Sequence, residues 1–143
     1  MRFVLIGGLA LNAWGVVRGT KDVDVAVDPE PDNLNAVAAV AAAANGVVQQ
    51  RQAIAGSAFS IAALLSEGER VLIDTELGPL AILQGLEGVP SYPELRSRAV
   101  EVEVADVTVW VCALEDLRAM KRAAGRARDL ADLEDLDSAH GND

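Results

Sequence analysis

Two aspartates, Asp22 and Asp24, are set two residues apart in the stretch "VVRGTKDVDVAVD", residues 16–28, where valine otherwise alternates. A strand turns alternate side chains to opposite faces, so Asp22 and Asp24 share one face while Val23, Val25 and Val27 share the other. Two carboxylates on neighbouring positions of one face repel each other. A divalent cation is the usual compensation. Upstream lies "RFVLIGG": a short apolar run that reads as a buried strand, closed by Gly7 and Gly8. Glycines at a strand end let backbone approach a phosphate closely, and the N–H groups of the helix that follows favour anions. A phosphate-binding turn beside a strand with two carboxylates suits Mg²⁺, which is held by a few carboxylates plus substrate phosphates. In-line displacement at a phosphoryl group uses this arrangement. Two plainer readings stand beside this one: a tight turn at "GG", and an edge strand with a solvated acidic face.

The elements that must position these groups follow from pattern. "LALNAWGVV" reads as a short helix after the glycines, and "DVDVAV" as the next strand. Asp32 or Asn33 is placed to cap a helix over "NLNAVAAVAAAA", which "NG" ends. "VVQQR" fits a strand, residues 53–66 fit either helix or strand, and "RVLIDTELGPLAIL" fits two strands around "ELGP". A short helix starts near Pro93, and "VEVADVTVWV" forms a hairpin turning at "AD". "LEDLRAMKRAAGRARDLADLEDL" is helical. One apolar stripe runs through Leu114, Leu117, Met120 and Ala124, a second through Leu130, Leu133 and Leu136, and Gly125 marks a kink or a boundary between two helices. One domain over 1–143 with a flexible tail over 138–143 is expected, and the fold expected for it, with the family resemblance given below, is α/β (α+β): a mixed sheet of about five strands, helices mainly on one side and the Asp strand central.

Composition narrows the chemistry. The 143 residues carry 12 Lys and Arg against 22 Asp and Glu, a net charge of −10, so no broad basic face for nucleic acid is expected. A local basic run remains at Arg118, Lys121, Arg122, Arg126 and Arg128. Cys112 is the one cysteine and lies in the apolar run "VTVWVCAL", which reads as a buried strand rather than a nucleophile site. His140 is the one histidine and falls in the polar tail "SAHGND", so a His-based triad or His-rich zinc site is excluded. No apolar stretch approaches the ~20 residues of a membrane span. The opening "MRFVLIGGLALNAWG" lacks a cleavage site, and the expected location is cytoplasmic.

"IGGLALNAWGVVRGTKDVDVAV" resembles the signature of the nucleotidyltransferase superfamily with the DNA polymerase β-like fold: Gly-Gly or Gly-Ser, a spacer, then Asp-x-Asp. Arg18 and Thr20 match the "R-x-T-x-D-x-D" form of its minimal, AbiEii-toxin-related members, and the C-terminal "LEDLRAMKRAAGRARDLADLEDL" resembles the end of that group. The resemblance implies Asp22 and Asp24 as ligands of Mg²⁺, with Mn²⁺ as the alternative. It implies Gly7, Gly8 and Thr20 in the nucleotide-binding site, the glycines against the triphosphate, Arg18 on phosphate or bracing the Asp strand, and Lys121 reaching the triphosphate. The implied reaction transfers a nucleoside monophosphate to a hydroxyl on a protein, a small molecule or an RNA end. The alternative it leaves is a catalytically impaired nucleotide- or partner-binding module of a toxin–antitoxin system, and a homodimer is the further assembly considered. The superfamily's third carboxylate is expected within "TELGPLAIL", yet the matching position is Ala81. Asp74 is the candidate replacement as a catalytic carboxylate, with Glu76 behind it. Whether either reaches Asp22 and Asp24 separates the two readings.

Overall fold

The computed structural model describes residues 1–48, 58–67 and 70–141. Gly7 bends the chain straight from β1 (Phe3–Ile6) into α1 (Gly7–Ala13) with a left-handed φ of 66°. β2 (Val23–Val27) returns antiparallel to β1, with Ile6 opposite Asp24 and Phe3 opposite Val27. α2 (Pro31–Ala43) follows. Its first position is proline, whose missing N–H is one of the donors a helix start leaves unpaired anyway. Neither Asp32 nor Asn33 caps it; the N-cap is Glu30, without a side-chain bond. Asn33 is instead buried and ties two chain segments together, its Nδ2 donating to the carbonyls of Arg2 (2.9 Å) and Asp28 (2.8 Å). A buried amide meets its own demand for partners before it serves a helix end. Asp32 pairs outward with Arg2.

β3 (Val47–Val48) is all that is described of the strand expected over "VVQQR"; Gln49, Gln50 and Arg51 lie outside the described residues. α3 (Ala58–Glu67) resolves the ambiguous stretch as helix from Ala58 on, and residues 53–57 also lie outside. β4 (Arg70–Thr75) and β5 (Gly78–Leu83) form the expected hairpin. Thr75 closes its turn by donating from Oγ1 to the Gly78 carbonyl at 2.7 Å. α4 (Tyr92–Arg98) is capped by Ser91. β6 (Val100–Val104) and β7 (Val107–Val111) turn at Ala105 and Asp106, both with positive φ as a two-residue hairpin turn of this type requires. α5 (Leu114–Ala124) and α6 (Ala127–His140) are separate helices, divided at Gly125 in the left-handed conformation.

The sheet is mixed, in the order β3-β4-β5-β2-β1-β7-β6. It has seven strands rather than about five, because β7 joins the edge of β1 in parallel and brings β6 with it. Short-range pattern reads a hairpin but not the edge on which it docks. The Asp strand is central, with β1 antiparallel on one side and β5 parallel on the other. Val4, Leu5, Ile6, Val25, Ala26, Val27, Ile73 and Ile82 build the sheet's part of the core, and Leu11, Val37, Leu95, Leu117 and Leu136 cover it.

α6 departs from its expected face. Leu136 is buried, but Leu130 is 53% exposed, and the positions turned inward are Asp129, Asp132 and Leu136. His140 belongs to this helix rather than to a tail. Its Nε2 is hydrogen-bonded to the Trp14 carbonyl, and the two rings meet edge to face, 5.7 Å between centroids. The other end of Trp14 donates from Nε1 to the Cys112 carbonyl at 2.9 Å, which fastens α1 to the end of β7. Cys112 is fully buried, and burial pushes its thiol up to about 12, as an inert core residue requires.

Candidate functional site

The Gly7–Gly8 turn and the Asp strand meet at the C-terminal end of β1. A Cβ on Gly7 would collide with Asp24 Oδ2, and one on Gly8 would lie 2.6 Å from Thr20 Oγ1. Only glycine lets this backbone lie against the carboxylate and the loop that precedes it. Thr20 in turn donates from Oγ1 to the Asp22 carbonyl at 3.1 Å, and the Arg18 N–H donates to Asn12 Oδ1 at 3.3 Å. These bonds hold the loop from α1 to β2 over the turn.

Beside the turn lies a cavity of about 630 Å³, within the range of small-ligand sites. Gly7, Gly8, Arg18, Thr20, Asp22 and Asp24 line one wall, and Met120, Lys121, Arg126, Arg128 and Asp129 line the facing wall from α5 and α6. Leu83, Leu86, Glu87, Gly88 and Val89 also line it. The structure therefore brings together seven of the eight residues singled out in the sequence: Gly7, Gly8, Arg18, Thr20, Asp22, Asp24 and Lys121. A second cavity of about 550 Å³ between α2 and α3 is lined, among the described residues, by apolar and neutral polar side chains.

Asp74 is the residue left out. It pairs with Pro79 on one side and Val47 on the other, so β5 stands between it and the Asp strand. Two strand spacings of ~4.8 Å separate its backbone from β2, and Asp74 does not line the cavity. Glu76 is turned away, its Oε2 accepting from Asn45 Nδ2 at 2.9 Å. The position directly beside Asp24 on β5 is Ala81, which is buried. Among the described residues no group of three or more acidic, His or Cys side chains is arranged to hold a metal ion.

Electrostatics distinguishes the two walls. Burial, then the neighbouring charge of Asp22, raise the Asp24 pKa above the ordinary carboxylate value, while Lys121, Arg70 and Arg128 act against that rise. Neither Asp22 nor Asp24 has an ion-pair partner among the described residues. The donor set fits a divalent cation shared with a ligand's phosphates, which needs only one or two protein carboxylates. Such a cation would relieve the repulsion between the pair.

On the facing side, the carboxylates of α6 are already neutralised. Asp129 and Asp132 are each 1% exposed and lie three residues apart on one face of α6. Asp132 pairs with Arg18 through Oδ1 and with Lys121 through Oδ2, the latter at 2.9 Å. Asp129 accepts from Lys121 Nζ (3.5 Å), from Arg126 Nε (2.7 Å) and from the Arg126 backbone N–H (3.1 Å), which also caps α6. Burial opposes ionisation of Asp129, but the Arg126 hydrogen bonds outweigh it and hold the carboxyl below its ordinary pKa. Removing one partner of such a buried pair costs ~3–5 kcal/mol. The basic run is thus not a basic face: Lys121 and Arg126 answer these carboxylates, and Arg118 is buried against Asp137 and the Gly141 carbonyl.

Sequence reasoning missed the role of Asp129 and Asp132. The signal was present as an Asp-x-x-Asp spacing within a helix and a cluster of Lys and Arg nearby, but the leucines between them drew the apolar stripe onto the wrong face. It also missed Glu87, an exposed carboxylate on the loop after β5 that lines the cavity.

A mixed sheet whose central strand carries Asp24, with Asp22 just before it, beside a Gly-Gly strand-to-helix turn defines a domain of the nucleotidyltransferase type. The family model described as "Nucleotidyl transferase AbiEii toxin, Type IV TA system" matches residues 1–143, and the chain belongs to that family. No curated protein matches the chain. Among the described residues no helix is long and apolar enough to cross a membrane.

Proposed function

We propose that this chain binds a Mg²⁺–nucleoside triphosphate in the 630 Å³ cavity and transfers the nucleoside monophosphate to a hydroxyl acceptor slowly or not at all. In this reading Asp22 and Asp24 hold the metal and the Gly7–Gly8 turn receives the phosphates. The observation that carries it is the register of β2 on β5, which sets Ala81 directly beside Asp24. A carboxylate there would help activate the attacking hydroxyl, and general-base assistance of this kind is worth ~10²–10⁴-fold in rate. An alanine keeps metal and nucleotide binding while removing that assistance. In a toxin–antitoxin system such a domain would act through the nucleotide it sequesters or through its antitoxin partner. Mn²⁺ would replace Mg²⁺ at the same ligands.

The experiment is a transfer assay with α-labelled nucleoside triphosphates on the wild type and on Ala81→Asp, beside calorimetric binding of the same nucleotides. The reading expects binding by both proteins, with transfer by the wild type at least ~10²-fold below that of Ala81→Asp. Rapid transfer by the wild type would overturn it.

One observation favours a fully active transferase as the second reading: Glu87, which follows β5 in the chain, lines the same cavity. Rapid transfer by the wild type that is lost in Glu87→Gln, with nucleotide binding kept, would support that reading.

A further inference from the structure

The cations around the cavity are not equivalent. Arg18 and Lys121 are held by Asp132, and Lys121 and Arg126 by Asp129, both carboxylates being 1% exposed. A ligand phosphate that drew Arg18 or Lys121 away would leave a buried carboxylate without its partner, which opposes the exchange. Arg128 differs. Like Lys21 it is exposed, lines the cavity and has no ion-pair partner among the described residues, but of the two only Arg128 is among the charges that act on Asp24. It sits one residue before Asp129, whose burial fixes the first turn of α6 and hence where Arg128 stands. Its charge, with those of Lys121 and Arg70, is among those that act on Asp24 across the cavity. A guanidinium with its donors uncommitted, facing a carboxylate pair suited to a metal, is placed for a phosphate bridging the two walls.

We propose that Arg128 is the side chain that binds the ligand's polyphosphate, and that Arg18 and Lys121 shape the cavity wall through Asp132 without contacting phosphate. The inference rests on the binding reading above and revises the roles that the family resemblance implies for Arg18 and Lys121.

The test uses Mg²⁺-tripolyphosphate, which carries no base, beside Mg²⁺–ATP, both titrated calorimetrically into the full chain, with melting curves for each variant. Arg128→Gln is expected to weaken binding of both ligands about tenfold or more while melting as the wild type does. Arg128→Lys recovers part of the loss. Lys121→Gln lowers the melting temperature, yet well below that temperature it weakens binding less than Arg128→Gln does. Arg122→Gln, exposed on α5 and outside the cavity lining, controls for net charge and leaves binding unchanged. Unchanged tripolyphosphate binding in Arg128→Gln, with the wild type binding, overturns this inference and leaves the functional reading standing. A folded Lys121→Gln that loses as much binding as Arg128→Gln also overturns it. Failure of the wild type to bind tripolyphosphate and every nucleoside triphosphate overturns the functional reading, and this inference with it.

Discussion

The two walls of the cavity solve opposite electrostatic problems with the same residue type. Asp24 on β2 and Asp22 just before the strand stand together without an ion-pair partner among the described residues, and burial and the Asp22 charge raise the pKa of Asp24. On α6, Asp129 and Asp132 are more deeply buried yet fully partnered by Arg18, Lys121 and Arg126. An aspartate in a cavity wall is therefore not by itself a ligand site. The α6 pair is satisfied within the chain and holds the wall together. The β2 pair is left for a charge that the chain does not supply.

The largest effect should come from breaking the satisfied wall. Asp132→Ala leaves Arg18 and Lys121 without their shared buried partner and is expected to cost ~3–5 kcal/mol, read from denaturant unfolding. The matching change on the other wall, Asp22→Ala, should cost far less, because that carboxylate is exposed and unpaired.

Next comes Ala81→Asp, which places a third carboxylate beside Asp24 in a buried position. In EDTA the variant should lose ~1–3 kcal/mol, as an unpartnered polar group does on burial, and Mg²⁺ should restore much of that loss. Melting curves with and without the metal decide it. A variant equally unstable in both would mean that the three positions do not converge on a cation.

The two walls should also oppose each other in pH dependence. The folded-state pKa of Asp129 is depressed, so its contribution to stability is present above the ordinary value of 3.8 and is lost as pH falls through the folded value. The folded-state pKa of Asp24 is raised, so protonating it in the folded state adds stability as pH falls toward 3.8 from above. Subtracting the unfolding free energies of Asp129→Asn and Asp24→Asn from those of the wild type, across pH 3 to 7, should give slopes of opposite sign. The smallest effect is that of Asp24→Asn at neutral pH in EDTA, a rise in melting temperature of roughly 2 °C, small because water reaches the half-buried carboxylate.

Much of this architecture was legible from residues 1–28, where local pattern and chemistry coincide: an apolar run, two glycines, and a strand that carries Asp24, although it starts one residue after Asp22 rather than at it. The β4–β5 and β6–β7 hairpins were legible because turn residues punctuate them. What stayed hidden depended on pairing between distant segments. The sheet gained strands when β7 found the edge of β1, a contact between Leu5 and Val111 that no local window contains. Asp74 lost its candidacy through register, since one intervening strand keeps it from β2. The buried face of α6 was misjudged because its leucines outweigh its aspartates in any hydrophobicity pattern. The Arg and Lys that make burying those aspartates tolerable come from the loop before β2, from α5 and from the residue before α6. His140 reads as part of a polar tail in the sequence because the Trp14 that receives it lies at the other end of the chain.

The central claim is that the unsatisfied wall exists to hold a metal-bound nucleotide. The most direct test is calorimetric titration of the wild type and of Asp22→Asn/Asp24→Asn with ATP, GTP, CTP and UTP, in Mg²⁺ and in EDTA. The account predicts binding of at least one nucleotide by the wild type in Mg²⁺ alone, and none by the double variant, with both proteins folded. Binding that survives EDTA or the double substitution, or no binding of any nucleotide by the wild type, would contradict it.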